Sequence, residues 1–223
     1  MVAVTVYFAC VCTDMKTFTL PQKYKDSVLA CGSQQKNAFC ITQGDRAYLS
    51  DHFGDLEDAA SYTAYEDAVM AALKRYAIKP TIIAYDLHPE YISTKYAASF
   101  PVKTKAGVQH HHAHVASCMV EHGLNGKVIG VAFDGLGYGT DGNLWGGEFL
   151  TGDFSSFQRA AHLRYAPMPG GAAAVREPWR MALGYLYEIY GSELVYRAPD
   201  FAADKRGGKT DAVIELLEKK VST

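Results

Sequence analysis

Net charge is almost absent from this chain: 22 Lys and Arg stand against 24 Asp and Glu, a formal balance of −2. That removes any electrostatic case for nucleic acid or an anionic membrane surface as a partner. Cysteines are few and odd in number, Cys10, Cys12, Cys31, Cys40 and Cys118, and their irregular spacing argues against a disulfide framework. Cys10-Val-Cys12 lacks the second pair of a zinc knuckle and reads as two cysteines in an apolar strand. Met1 to Cys12 has neither a basic leader nor a small-residue cleavage site, and is far too short to span a bilayer. The default location is the cytoplasm. What remains is ordinary: 48% hydrophobic and 21% charged residues over 223 positions, enough for one large globular domain or two small ones.

Against that plain background two stretches stand out. Four of the eight histidines fall within five positions, His110, His111, His112 and His114. If a helix opens there, His110 and His114 share a face roughly 5–6 Å apart, where two imidazoles can hold one metal. His111 and His112 would point elsewhere, free to meet substrate, phosphate or solvent; the alternative is a solvated or core cluster. Twenty residues on, the apolar run Val128 to Phe133 enters Asp134-Gly135-Leu136-Gly137-Tyr138-Gly139-Thr140-Asp141-Gly142, then Trp145-Gly146-Gly147-Glu148. Glycines let backbone amides approach phosphate oxygens closely, and aspartates can hold a cation beside them. An ordinary hairpin turn would read the same way.

Taken in order, residues 1–27 divide into an apolar strand-like segment, Val2 to Cys12, and a polar linker, Thr17 to Asp26, containing Pro21. Three meandering strands follow at Val28–Cys31, Asn37–Thr42 and Arg46–Ser50, with a tight turn at Gln43-Gly44-Asp45. Tyr65 to Tyr76 is the first helix, with Thr63 and Glu66 as a capping box. Thr81–Tyr85 is a buried strand, Tyr91–Phe100 a helix, Gly107–Gln109 a short strand, and His110–His122 a helix stopped by Gly123. Val128–Phe133, Asn143–Thr151 and Arg159–Leu163 begin a fresh meander. This restarted βα pattern predicts a duplicated α/β architecture, with halves at 28–127 and 128–223 facing one another across a cleft. Ala172 to Tyr190 reads as one long helix and Asp211 to Lys220 as a last amphipathic one.

From Val28 to about Gly191 the chain resembles the HypF-type carbamoyltransferases of nickel–iron hydrogenase maturation. The segments that carry the resemblance are Leu-Ala-Cys31-Gly32 with Lys36-Asn37, Gly44-Asp45-Arg46, Gly54-Asp55-Leu, Tyr85-Asp86-Leu-His88-Pro89, the histidine stretch, Asp134 to Glu148, and Arg176-Glu177-Pro178-Trp179-Arg180. The resemblance implies an actin/hexokinase/Hsp70-like ATPase fold of two ribonuclease-H-like halves. It implies transfer of carbamoyl from carbamoyl-adenylate, made from ATP (with Mg) and carbamoyl phosphate, to the C-terminal cysteine of a HypE-like acceptor protein.

The same resemblance assigns roles. His110 and His114 would ligate zinc or iron, with Lys36, His111 and Asp134 catalytic. Gly135, Gly137, Gly139, Asp141, Glu177 and Arg180 would bind nucleotide. Lys36 can equally be a solvated lysine, Arg176 and Arg180 can brace Glu177 or Asp134 instead of phosphate, and Asp86 and His88 are candidates to support the metal from behind. The expected acylphosphatase, zinc-finger and YrdC-like domains are not found ahead of Val28, nor the S-G-G-x-x-x-N segment and further metal-binding aspartate after Gly191. The chain is therefore expected to be a fragment with an incomplete second half, two histidines short of a third protein ligand, inactive alone and open to homodimerisation. A small-molecule O-carbamoyltransferase and a non-catalytic relative binding nucleotide, metal or a partner are the competing readings.

Overall fold

Val28-Leu29-Ala30 and Ile82-Ile83-Ala84 are short runs apolar on both faces, which suits strands covered by layers on each side. They pair in parallel, Val28 opposite Ile82 and Ala30 opposite Ala84. A computed structural model of the chain describes residues 15–199 and 208–220; the strand expected in Val2 to Cys12 lies outside them. In it β1 (Lys16–Ala30) lies between an antiparallel β2 (Cys40–Leu49) and a parallel β3 (Ile82–Asp86), and β4 (Thr104–Val108) continues the parallel edge, giving the order β2-β1-β3-β4. Helices α1 (Ala59–Arg75) and α2 (Ile92–Ser99) make the crossovers that parallel pairing requires. Leu29, Ile41 and Ile83 of the sheet pack with Phe39 and with Tyr65 and Val69 of α1, all at most 1% exposed. The Tyr65 hydroxyl donates to the Cys31 carbonyl at 3.1 Å.

Three sequence expectations are corrected here. The polar segment Thr17 to Asp26 is not a linker but the outer part of β1, zipped to β2 from Lys16 opposite Leu49. Strand β2 runs through Gly44, where the register shifts, so the expected three-strand meander is a two-strand hairpin. The pairing partner overrides local polarity in the first case. In the second the irregularity falls on β1, whose extra residues between Thr19 and Tyr24 and between Tyr24 and Val28 bulge out while β2 continues through Gly44. Helix α1 begins six residues before Tyr65, at Ala59, because Asp58 caps it by accepting from the Ser61 N–H at 2.9 Å. Thr63 lies inside the helix and donates to the Ala59 carbonyl.

Helix α3 (His110–Glu121) follows β4 and is capped by Gln109, whose side chain accepts from the His112 N–H. A second, antiparallel sheet then forms from β5 (Val128–Tyr138), β6 (Leu144–Gly152) and β7 (Phe157–His162). Gly130 lets α3 lie close: a Cβ there would meet Val115 Cγ2 at 2.4 Å. On the other face Ile129, Val131 and Phe133 are 77%, 55% and 67% exposed, an apolar surface uncovered among the described residues.

The chain packs as two units, 1–162 and 163–223. The expected boundary between halves, at residues 127–128, falls within the first, between α3 and β5. In the second, α4 (Ala172–Arg176), α5 (Trp179–Tyr190), α6 (Leu194–Arg197) and α7 (Lys209–Lys219) enclose Leu183, Leu194, Val213 and Leu217. The single helix expected over 172–190 is broken: Glu177, next to Pro178, sits at φ −125°, ψ 77° because a proline's ring disfavours helical geometry in the residue before it. No described helix is long and apolar enough to cross a membrane.

Candidate active site

Parallel strands place ligands at their carboxyl ends, and there β3 ends in Asp86 and β4 delivers His110 as the first residue of α3. His110 Nδ1 lies 2.7 Å from Asp86 Oδ2, and its Nε2 lies 2.8 Å from Asp134 Oδ2. A carboxylate on each ring nitrogen favours the imidazolium, and these bonds, Asp134's first, push the His110 pKa up to about 9. In return the His110 bond, then the His114 bond, hold Asp134 far below the usual carboxylate range. His114, one helical turn on, puts Nε2 at 3.2 Å from His110 Nε2 and 3.5 Å from Asp134 Oδ2.

Ligand atoms of His110, His114 and Asp134 thus all lie within 4.8 Å of one another. Donors about 2.0–2.2 Å from one tetrahedral ion stand roughly 3.3 Å apart, so the set fits a single divalent metal. The sequence predicts two histidines short of a third protein ligand; Asp134, expected on a phosphate loop, stands within reach of both as a candidate third donor. It is brought there by an irregularity in β5. Phe133 pairs with Gly147 and Gly137 with Trp145, so residues 134–136 bulge from the ladder and the carboxylate is turned toward α3.

Beside the cluster opens a cavity of about 450 Å³, lined among others by Gly32, Ser33, Lys36, Asp86, His110 and His114. Lys36, expected in the first hairpin, lies on the β1–β2 connection and borders this cavity. Its backbone sits at φ +46°, and its carbonyl is 2.6 Å from His52 Nδ1. A non-glycine residue in the left-handed region costs backbone energy, and such strain gathers at functional sites. His88, two residues past Asp86, stacks on Tyr91 with ring centroids 4.1 Å apart.

Other expected site residues are placed differently. His111 is fully buried, not free to meet substrate: its Nδ1 is 3.3 Å from Gln109 Nε2, and its Nε2 has no partner among the described residues. Burial, then the charge of His110, holds its pKa below the ordinary value. His112 turns its Nε2 to the Asp153 carbonyl at 2.7 Å. Two of the three glycines expected to bind nucleotide, Gly137 and Gly139, are packed closely against side chains, while Gly135 faces open space. A Cβ on Gly137 would meet His111 Cε1 at 2.6 Å, and one on Gly139 would meet Trp145 Nε1 at 2.1 Å. The Gly135 N–H donates to Asp134 Oδ1 and the Gly139 N–H to the Asn143 carbonyl. Asp141 is also engaged: Oδ1 accepts from Trp145 Nε1, and Oδ2 lies 3.3 Å from Arg159 Nη1.

Arg159 was not singled out by the sequence, yet it clamps the hairpin, donating to both Glu148 oxygens at 2.6 and 3.0 Å and lying over the Trp145 ring at 4.0 Å. The only advance sign of it was the acidic partner, Glu148, inside the glycine-rich motif. In the second unit Arg180 braces Glu177 through Nε at 2.6 Å, and Lys209 approaches the same carboxylate at 3.4 Å.

Comparison with known proteins gives this geometry a lineage. The HypF Kae1-like domain matches residues 23–121, and the second subdomain of the carbamoyltransferase Kae1-like domain matches residues 130–223. The molecule is thus of the Kae1-like class, an actin/hexokinase-like ATPase-type fold. Carbamoyltransferase HypF2 of Cupriavidus necator is 45% identical over 78% of this chain and 22% of its own length. Carbamoyltransferase HypF of Synechocystis is 40% identical over 85% and 24%. A full-length HypF crystallised with phosphate and nucleotide bound superimposes with a TM-score of 0.82 at 40% identity, covering 93% of this chain and 32% of that one. The chain belongs to the HypF carbamoyltransferase family and spans about a quarter of the length of these curated relatives.

Proposed function

We propose that this chain carries the carbamoyl-transfer site used in hydrogenase maturation. In this reading it passes carbamoyl from carbamoyl-adenylate to the C-terminal cysteine of a HypE-like protein. The observation that carries the reading is the convergence of His110, His114 and Asp134 at the mouth of a cavity that Lys36 also lines. His110, His114 and Asp134 would hold zinc or iron; such an ion supplies a Lewis acid for a carbonyl or phosphate oxygen. Asp86 fixes the His110 ring from behind and sets which nitrogen faces the cavity. Lys36 supplies a positive charge beside phosphate or carbamoyl oxygens. The acceptor thiolate attacks the carbamoyl carbon, a C–S bond forms, the C–O bond to adenylate breaks, and AMP departs; the thiol proton goes to solvent. The nucleotide held by the full-length HypF relative supports an adenylate for this chain too.

The test supplies synthetic carbamoyl-adenylate and a peptide ending in cysteine, with mass spectrometry of the peptide. Addition of one carbamoyl to the terminal cysteine, abolished in a His110→Ala/His114→Ala variant, supports the reading. Carbamoylation of a hydroxyl compound but not of the peptide would favour the O-carbamoyltransferase alternative. No transfer to either would leave metal or nucleotide binding as the role of this polypeptide.

A further inference from the structure

Helix α3 carries a second pair of metal-ligating side chains, outside the cluster just described. His110, His114, Cys118 and His122 recur at every fourth position. With 3.6 residues per turn this spacing winds them along one slowly turning stripe. The first two converge on Asp134. The last two, Cys118 within α3 and His122 at its C-cap, are both exposed, and the glycines that follow, Gly123 and Gly126, face open space.

Cys118 Sγ stands 3.8 Å from His122 Nδ1. Zinc binds thiolate at about 2.3 Å and imidazole at about 2.0–2.1 Å, so one ion bridging the two holds them roughly 3.5–3.8 Å apart. The pair is therefore already near bridging distance, and a turn of the His122 side chain completes the approach. Other described cysteines are unsuited: burial pushes the thiols of both Cys31 and Cys40 up to about 11. Cys118 is the exposed one among them.

The geometry points to Cys118 and His122 as a second metal site, of softer Cys/His chemistry, that takes a zinc-like divalent ion at the surface of α3. Ligation releases the thiol proton to solvent. Nδ1 of His122 also lies 3.0 Å from the Cys118 carbonyl. In the metal-free chain a proton on Nδ1 donates to that carbonyl. To ligate, the ring carries its proton on Nε2 instead and turns Nδ1 from the carbonyl toward the ion, with water filling the remaining positions. Thiolate sets this pair apart from the His/His/Asp cluster, whose nitrogen and oxygen donors are harder. Cys118 is one turn from His114, about 6 Å along the helix axis, and the exposed His114 is the outermost donor of that cluster. An ion captured at the pair stands one helical step from the cluster.

Cobalt(II) is the probe, titrated into the reduced, metal-free full chain. The near-ultraviolet thiolate-to-cobalt absorption reports Cys118, and alkylation with N-ethylmaleimide, mapped by peptide mass, reports its accessibility. The site predicts the absorption in the wild type and in His110→Ala/His114→Ala. It predicts loss in Cys118→Ala, a marked weakening in His122→Ala, and slower alkylation of Cys118 when zinc is present. Absorption that survives Cys118→Ala comes from another thiol and overturns the assignment. So does absorption unchanged in His122→Ala, or alkylation unaffected by zinc. Both side chains are exposed, so folding is not at stake. Because the double histidine variant keeps this signal, its failure is separate from any failure of the carbamoyl-transfer reading.

Discussion

Asp86 Oδ2 and His110 Nδ1 stand 2.7 Å apart, so the last residue of β3 holds the first residue of α3 by its ring. Side chains that orient a metal-binding imidazole typically contribute 10–100-fold to metal affinity. Asp86→Asn is expected to weaken zinc binding by about that factor while leaving the fold intact. Calorimetric titration of zinc, with circular dichroism alongside, checks it.

The same contacts set a pH dependence for the metal-free chain. His110 is raised to about 9 in the fold, against about 6.5 for an unfolded histidine. Its contribution is therefore complete below about pH 6.5 and is lost as pH rises through about 9. Asp134, depressed in the fold, contributes above the unfolded carboxylate value, near 3.9, and loses its share as acid protonates it. Urea unfolding in chelator should show wild type losing stability relative to His110→Ala between about pH 6.5 and pH 9.

Two neighbouring glycines should behave in opposite ways. A Cβ on Gly137 collides with the buried His111 ring, whereas one on Gly135 meets nothing within 4 Å. Gly137→Ala is expected to cost about 1–3 kcal/mol, and Gly135→Ala less than about 1 kcal/mol. Chemical denaturation of the two variants measures both. Equal, small effects would return the segment to the role of a simple open loop.

Glu148 has a side chain only 2% exposed and takes two bonds from Arg159. Glu148→Ala removes two bonds from a mostly buried guanidinium, leaving Asp141 as an acidic partner, and should destabilise the chain by about 1–3 kcal/mol. Near-ultraviolet circular dichroism should change with it, because the same arginine lies over Trp145.

Much of this site was legible in the sequence because local spacing alone decides it. Four residues on a helix bring His110 and His114 together wherever the helix goes. Asp86 at a strand's end, beside a helix start, follows from parallel topology. Asp134 was visible as an important acid but not as a partner of those histidines, since a bulge two residues deep is invisible to alternation. His111 looked available only because burial depends on what covers a helix, here Gly137 and Trp145 from β5 and β6. The strand through Thr17 to Asp26 was hidden for a similar reason: its stability comes from pairing with β2, not from its own side chains.

The detour of residues 134–136 has a consequence for how such a site changes over generations. The ladder resumes at Gly137 opposite Trp145 as though the detour were not there. Strand and acid are thus separable parts. Residues can be exchanged within the detour, moving or replacing the carboxylate, while the hairpin and its Arg159 clamp stay in place. A fold arranged this way can alter its chemistry at one point without renegotiating its architecture.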